Sequence, residues 1–282
     1  MKFLKVSFLT ALALASPQLF RHEAKIPPKH TDITYNANWQ TPDNLENIQE
    51  ILNQPYTYLA NGNQATVFQS EDGKYVVKLI RYPRSIFPWI QSAKFWVAKN
   101  IRKKKLQYSL YEKVDKTCKA AKIALVEGSA FTQVIYCHLN LTRHQLPITT
   151  FKTPRKNWNI PLDQYRFVVQ KKVTPFNQAL IECKNDPVKM QQHIDSLINL
   201  LYTRSAKGIR NTDPNLATNF GFLNGQAVEI DFGNYGLPAF DPVASAKEVS
   251  NFLARFEDWL NKYAPKYSQY LTSKKRLAPQ AL

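Results

Sequence analysis

Two acidic residues stand 18 positions apart in the second half of the chain, each in a setting that suits chemistry. Asp213 lies in Gly208-Ile209-Arg210-Asn211-Thr212-Asp213-Pro214-Asn215, just past a helix-like segment that Gly208 would end. Asp231 closes a strand-like run, Ala227 to Ile230, and is followed by Phe232 and Gly233. Paired carboxylates held this way suit phosphoryl transfer. One can orient a hydroxyl, and the other can hold a divalent metal on the phosphates. Upstream, Ala60-Asn61-Gly62-Asn63-Gln64-Ala65-Thr66-Val67 sits between two strand-like runs. Small residues in such a turn let backbone N–H groups approach phosphates closely. Lys78 follows on the strand-like Val76-Val77-Lys78. No nucleophile elbow, zinc-protease helix or Walker lysine motif is present. His138 and His144, with Cys137, lack metal-ligand spacing and read as structural.

The order of these parts resembles the protein kinase-like superfamily. The Gly62 turn is similar to the glycine-rich loop, with Ala60 and Ala65 in the places of the outer glycines. Val76-Val77-Lys78 is similar to the strand that carries the phosphate-binding lysine. Asp213 takes the place of the catalytic-loop aspartate, with Asn211 and Thr212 where the family carries His and Arg. Asp231-Phe232-Gly233 matches D-F-G in full, at the separation from Asp213 usual in protein kinases.

The resemblance, over roughly residues 55–262, implies a bilobal α+β fold with ATP and Mg²⁺ between a strand-rich and a helical lobe. It implies Lys78 at the phosphates and Glu112 as its helical partner. Val67 and Val76 would pack on the adenine, which would meet the backbone after Val168-Val169-Gln170. Asp231 would hold Mg²⁺ together with Asn219, one residue later than the family's asparagine, or with Asn215. Asp213 would orient the hydroxyl of a protein or small-molecule acceptor. The segment after D-F-G is short and lacks A-P-E, and the missing Arg argues against control by phosphorylation there. The alternative is an inactive pseudokinase that acts as a nucleotide-binding or interaction module.

Periodicity supplies the elements that must position these residues. A helix is expected over 44–52 with Thr41 or Asp43 as cap, then a strand from Tyr56. A hairpin over 67–80 turns at Asp72-Gly73. Residues 84–122 read as two helices or one bent helix, and 124–126, 132–139 and 165–170 as strands. The stretch with Pro147, Pro154 and Pro161 reads as loop. Helices are expected over 187–206, capped by Asp186, and over 248–263. Strands come first and helices later, an α+β layout. The division is a segment 1–20, an arm 21–54, a strand-rich lobe with a basic helical insertion 55–172, and a helical lobe 173–282.

Composition bounds the partners. The 282 residues are 44% hydrophobic and 12% aromatic, enough for a sizeable core. Lys and Arg number 38 against 21 Asp and Glu, a net charge of +17 that favours an acidic partner. The basic, aromatic segment 81–105 suits an anionic membrane surface, with nucleic acid second. Lys2 and Lys5 with the apolar run from Val6 to Ala15 resemble an export signal, with a cytoplasmic location as the alternative. Three cysteines, Cys118, Cys137 and Cys183, define neither a disulfide framework nor a zinc site, and leave room for one disulfide plus a free thiol.

Overall fold

Alternating burial along residues 65–80 builds the sheet on which the chain is assembled. A computed structural model describes residues 26–27, 35–42, 45–81, 96–211, 213, 215–239 and 241–277, with the side chains of 45–46, 96–110 and 276–277 left aside. Strands β1 (Tyr56–Asn61), β2 (Ala65–Ser70) and β3 (Tyr75–Ile80) form an antiparallel meander. The expected Asp72-Gly73 turn joins β2 to β3. Gly73 has φ +71° and donates its N–H to the Ser70 carbonyl at 3.0 Å. That backbone conformation costs glycine little and would strain other residues. The Asp72 carboxylate accepts from the Ser70 hydroxyl and the Lys74 N–H, at 2.6 and 3.0 Å.

The sheet is completed by β4 (Val134–His138), β5 (Ile148–Lys152), β6 (Asn157–Pro161) and β7 (Phe167–Lys171), in the order β4-β7-β3-β2-β1-β5-β6. Its two faces serve different cores. Val77, Leu79, Phe68, Phe151, Phe167 and Val169 share one cluster, which α1 (Leu45–Leu52) covers with Ile48 and Leu52. Ile80, Val134, Cys137 and Val168 face the other way, into the cluster shared with the helices.

Helix α2 (Trp96–Val126) and the short α3 (Ser129–Thr132) lie between β3 and β4 in sequence. The expected strand at 124–126 is instead the last turn of α2, which is continuous over its described length. Cys118, Ala121 and Ala124 are buried and let the helix sit close on β4, where the Cys137 thiol meets the Ala121 carbonyl at 3.5 Å. The proline-marked stretch is also not loop but the hairpin β5–β6. Its prolines occupy places a hairpin tolerates: Pro147 before β5, Pro154 in the tip and Pro161 at the end of an edge strand. The Thr41 hydroxyl donates to the Cys137 carbonyl at 3.0 Å, and Asp43, the other cap candidate, lies outside the described residues.

After β7 the chain turns helical. A two-residue β8 (Thr174–Pro175) leads into α4 (Phe176–Glu182) and α5 (Pro187–Ala206). Asp186 caps α5 as expected, accepting the Lys189 N–H at 3.1 Å with Pro187 at the first helical position. Met190, Ile194, Leu197, Ile198 and Leu201 are all buried, as their spacing requires. Then come β9 (Arg210–Asn211), α6 (Leu216–Asn219), the hairpin β10 (Phe220–Leu223) and β11 (Gln226–Glu229), and β12 (Tyr235–Gly236), which pairs with β9. Helix α7 (Pro242–Tyr263) starts six residues before the periodic segment, because Asp241 caps it through the Ala244 N–H at 3.0 Å. Val249, Phe252, Phe256 and Leu260 face the core, and α8 (Ser268–Leu277) packs on α7.

The α+β expectation holds: a strand-rich sheet precedes a helical half. All three cysteines are free and buried, so the disulfide left open by the sequence is not formed. His138 is structural, its Nδ1 donating to the Tyr165 carbonyl at 2.6 Å while burial lowers its pKa. The signal-like segment lies outside the described residues, as do residues 82–95 of the basic segment. Among the described residues no helix is long and apolar enough to cross a membrane.

Candidate functional site

Asp213 and Asp231 sit on loops that two asparagines bind together. Asn211, buried on β9, accepts the Asp213 N–H with Oδ1 at 3.0 Å. Its Nδ2 donates to the Asp231 carbonyl at 3.3 Å. Asn219, buried at the end of α6, donates Nδ2 to the Asp213 carbonyl at 3.1 Å. Its own carbonyl accepts the N–H groups of Ile230 and Asp231, at 2.7 and 3.3 Å. Each loop is thus held to the other twice, once from each side. The carboxylates stay outward. Asp213 is half-buried and Asp231 exposed. Asp213 Oδ1 accepts the Asn215 N–H at 3.3 Å, and Asp231 Oδ1 the Gly233 N–H at 3.1 Å. Because Asn219 closes this bridge, Asn219→Ala is expected to cost about 1–3 kcal/mol, the penalty for unsatisfied buried partners, read as a shift in the urea midpoint.

Lys78 reaches the same place from β3. Strand alternation puts Val76 and Lys78 on the face turned toward the helices, with Val67 opposite Lys78 and Gln170 opposite Val76. The Lys78 ammonium donates to the carbonyl of Ile230, the residue before Asp231, and lies 4.8 Å from the centre of the Phe232 ring. Burial pushes its pKa down to about 8, and the charge of Asp231 offsets part of that. Between about 8 and the ordinary 10.5 the folded protein binds fewer protons here than the unfolded chain. The Lys78 contribution to stability is therefore a cost below pH 8 that is relieved as pH rises through this window. Lys78→Met lacks that cost. Its stability relative to wild type is expected to fall between pH 8 and pH 10.5, on top of a constant offset for the lost hydrogen bond. A difference that stays flat with pH in denaturant titrations would refute the depressed pKa.

Two expected members stand apart. Glu112 is exposed on α2 and forms no ion pair with Lys78. Among the described residues α2 reaches this site through Lys116, whose ammonium donates to Asn234 Oδ1 at 3.0 Å, one residue past Gly233. Gln170 is buried, and its side chain welds β7 to its surroundings. Nε2 donates to the Thr132 and Glu229 carbonyls at 2.5 and 3.3 Å. The next two backbone N–H groups, of Lys171 and Lys172, donate to the carbonyls of Gln133 and Lys74 at 3.0 and 2.8 Å. Gly62 closes the β1–β2 turn, its N–H donating to the Ala65 carbonyl at 2.8 Å.

Beneath the loops lies a buried charge network that the sequence reading missed. Glu229 is fully buried and accepts from Arg204 Nη1 at 2.7 and 2.8 Å, from Asn211 Nδ2 at 2.6 Å and from the Tyr235 hydroxyl at 2.6 Å. Glu248 of α7 accepts from Arg204 Nη2, Arg210 Nε and the Asn211 N–H at 2.6, 2.9 and 3.0 Å. Burial and the Glu229 charge hold the Tyr235 phenol well above its ordinary pKa. Two arginines and two glutamates pin α5, α7, β9, β11 and β12 to one point, and Asn211 carries that rigidity to both aspartates.

The donors available are oxygens. Asp231 offers an exposed carboxylate, and the Asn219 amide oxygen accepts the Thr218 hydroxyl at 2.8 Å. Among the described residues no cluster of three or more His, Cys, Asp or Glu could hold a metal alone. One or two carboxylates completed by substrate phosphates is the set that Mg²⁺ commonly takes, so these residues fit that ion. A groove of about 1090 Å³ lies elsewhere, between residues 35–42 and the loop after β4, and none of the expected site residues lines it.

The chain is similar to WbdD. The co-crystal structure of WbdD and the kinase inhibitor LY294002 matches at 15% sequence identity and a TM-score of 0.37, over 72% of this chain and 38% of that one. A 2.2 Å crystal structure of WbdD matches at 14% identity and a TM-score of 0.38, over 79% and 47%. The chain thus spans less than half the length of the WbdD chains it matches. No protein family and no curated protein matches it.

Proposed function

We propose that this chain is a kinase-like phosphotransferase that moves the γ-phosphate of ATP to a hydroxyl acceptor with Mg²⁺. The observation that carries the reading is convergence. Lys78 arrives from the sheet at the carbonyl beside Asp231, and two buried asparagines tie Asp231 to Asp213. The antiparallel order β4-β7-β3-β2-β1 and the helices that follow β7 support a bilobal arrangement with the nucleotide between sheet and helices.

In this reading Asp213 orients the acceptor hydroxyl, so ordinary carboxylate acidity suffices. Asp231 and the Asn219 oxygen would hold Mg²⁺, and Lys78 would exchange the Ile230 carbonyl for the phosphates. Bound Mg²⁺ would neutralise charge developing on the phosphate oxygens. Val67 and Val76 would line the adenine side, with the backbone beyond Gln170 as its polar edge. The acceptor belongs to a protein or a small molecule. The basic segment 81–105 is proposed to face an anionic membrane.

A second reading rests on Glu112. With no ion pair between Glu112 and Lys78 among the described residues, the lysine would remain on the Ile230 carbonyl, and the chain would be a pseudokinase that binds partners rather than turning over ATP. Titration of Mg-ATP against thermal unfolding tests the first step. Binding raises the midpoint by mass action, and a midpoint that stays put at millimolar Mg-ATP would remove both the kinase reading and any nucleotide-binding pseudokinase.

A further inference from the structure

The β1–β2 turn reaches the D-F-G segment through a side chain. Arg81, just past β3, fixes the turn from behind: its N–H donates to the Gln64 carbonyl at 2.7 Å, and its Nη1 to the Gly62 carbonyl at 2.9 Å. Those contacts hold the backbone and leave the Gln64 amide to point forward. Its Nε2 donates to the Gly233 carbonyl at 3.2 Å. Gly233 in turn donates its N–H to Asp231 Oδ1 at 3.1 Å. The approach depends on glycine: a Cβ at Gly233 would stand 1.9 Å from Gln64 Oε1.

This contact bridges the two elements between which the phosphates of a nucleotide would run, the small-residue turn above and Asp231 below. A phosphate chain entering there would meet the Gln64 amide. We propose that Gln64 is a positioning residue of the nucleotide site, latching the turn to Gly233 and giving way when the phosphates enter. This rests on the nucleotide cleft proposed above. The latch also gives the worn loop a rationale. With Ala60 and Ala65 in place of two glycines, the turn reaches D-F-G by a side chain instead of by bare backbone.

The test uses the full chain, its Gln64→Ala and Gly233→Ala variants and the double variant, with Mg-ATP as probe. Calorimetry is expected to give binding to Gln64→Ala about two- to tenfold tighter than to wild type, the range set by the net worth of one neutral hydrogen bond. Equal or weaker binding overturns the competition. Separately, and without nucleotide, Gly233→Ala is expected to lower the unfolding midpoint less in the Gln64→Ala background than in wild type, the sign of a direct contact. Zero coupling there overturns the latch, even where wild type binds Mg-ATP. Coupling with no nucleotide binding by either protein removes the nucleotide cleft, and the competition with it, while the contact stands.

Discussion

Asp231→Asn is expected to lower Mg-ATP-dependent phosphate transfer by a factor on the order of a thousand or more while leaving the fold intact. The two halves of that expectation have different causes. The Asp231 carboxylate is exposed and accepts the Gly233 N–H, as an asparagine oxygen also can, while its charge offsets part of the cost of burying Lys78. Its backbone contacts to Asn211 and Asn219 do not depend on the side chain. A loss of about 1 kcal/mol follows, from the attraction between the Asp231 charge and the buried Lys78 ammonium, too little to unfold the chain. Activity should respond differently, because under the proposed function Asp231 would hold Mg²⁺, and losing that charge would remove several kcal/mol of transition-state stabilisation. Asp213→Asn separates the roles. It should reduce kcat by about 10²–10⁴ and leave the affinity for Mg-ATP near that of wild type, whereas Asp231→Asn weakens Mg-ATP binding as well. Phosphate transfer that survives Asp213→Asn at the wild-type rate would overturn the assignment of the hydroxyl-orienting residue. Wild-type protein that binds Mg-ATP and transfers nothing, with both variants binding alike, would favour the pseudokinase reading.

How much of this was legible in the sequence depends on what each residue contacts. That Lys78 and Asp231 lie near one another was legible because Lys78 stands on a strand whose 2-residue period sets its face and Asp231 follows a second strand, whereas Asp213 was placed only by its position after a helix-like segment. The hairpin β5–β6 was not, because prolines mark turns and edge-strand ends alike, and only pairing with β1 distinguishes them. The end of α2 was misread because Ala124-Leu125-Val126 suits a strand locally, while the buried alanine seam against β4 decides for helix. Asn211 read as a departure from a motif. In the structure it is a junction, its amide spanning Asp213, Asp231 and Glu229. Buried charge was the least visible. Arg204 sits at the end of an amphipathic helix and Glu229 in a strand, both places where a charged residue usually faces solvent. Nothing in local spacing says that they meet. The one signal available was the strand pattern itself, since Glu229 interrupts the apolar run that leads to Asp231.

That buried pair predicts the largest loss of stability. Arg204 and Glu229 are 1% and 0% exposed, and removing Arg204 leaves the Glu229 charge uncompensated in the core. Arg204→Met is expected to cost about 3–5 kcal/mol, a drop in unfolding midpoint of about 5–8 °C for a chain of this size. Glu229→Leu should also cost several kcal/mol, since Arg204 keeps only Glu248 as a counter-charge and the Tyr235 hydroxyl loses its acceptor. The double variant should lose clearly less than the sum, because contacting charges do not add. The network also feeds Asn211, so a milder change should reach the site before the fold fails. Glu229→Gln keeps the shape, loses the charge and turns one acceptor oxygen into a donor against Arg204 or Asn211. It should loosen the loop between Asp213 and Asp231, visible as faster amide exchange at Asp213 and Asp231 under conditions where the protein stays folded. An Arg204→Met variant within 1 kcal/mol of wild type, or unchanged exchange at those two amides in Glu229→Gln, would mean that the aspartates are held by the asparagine bridges alone.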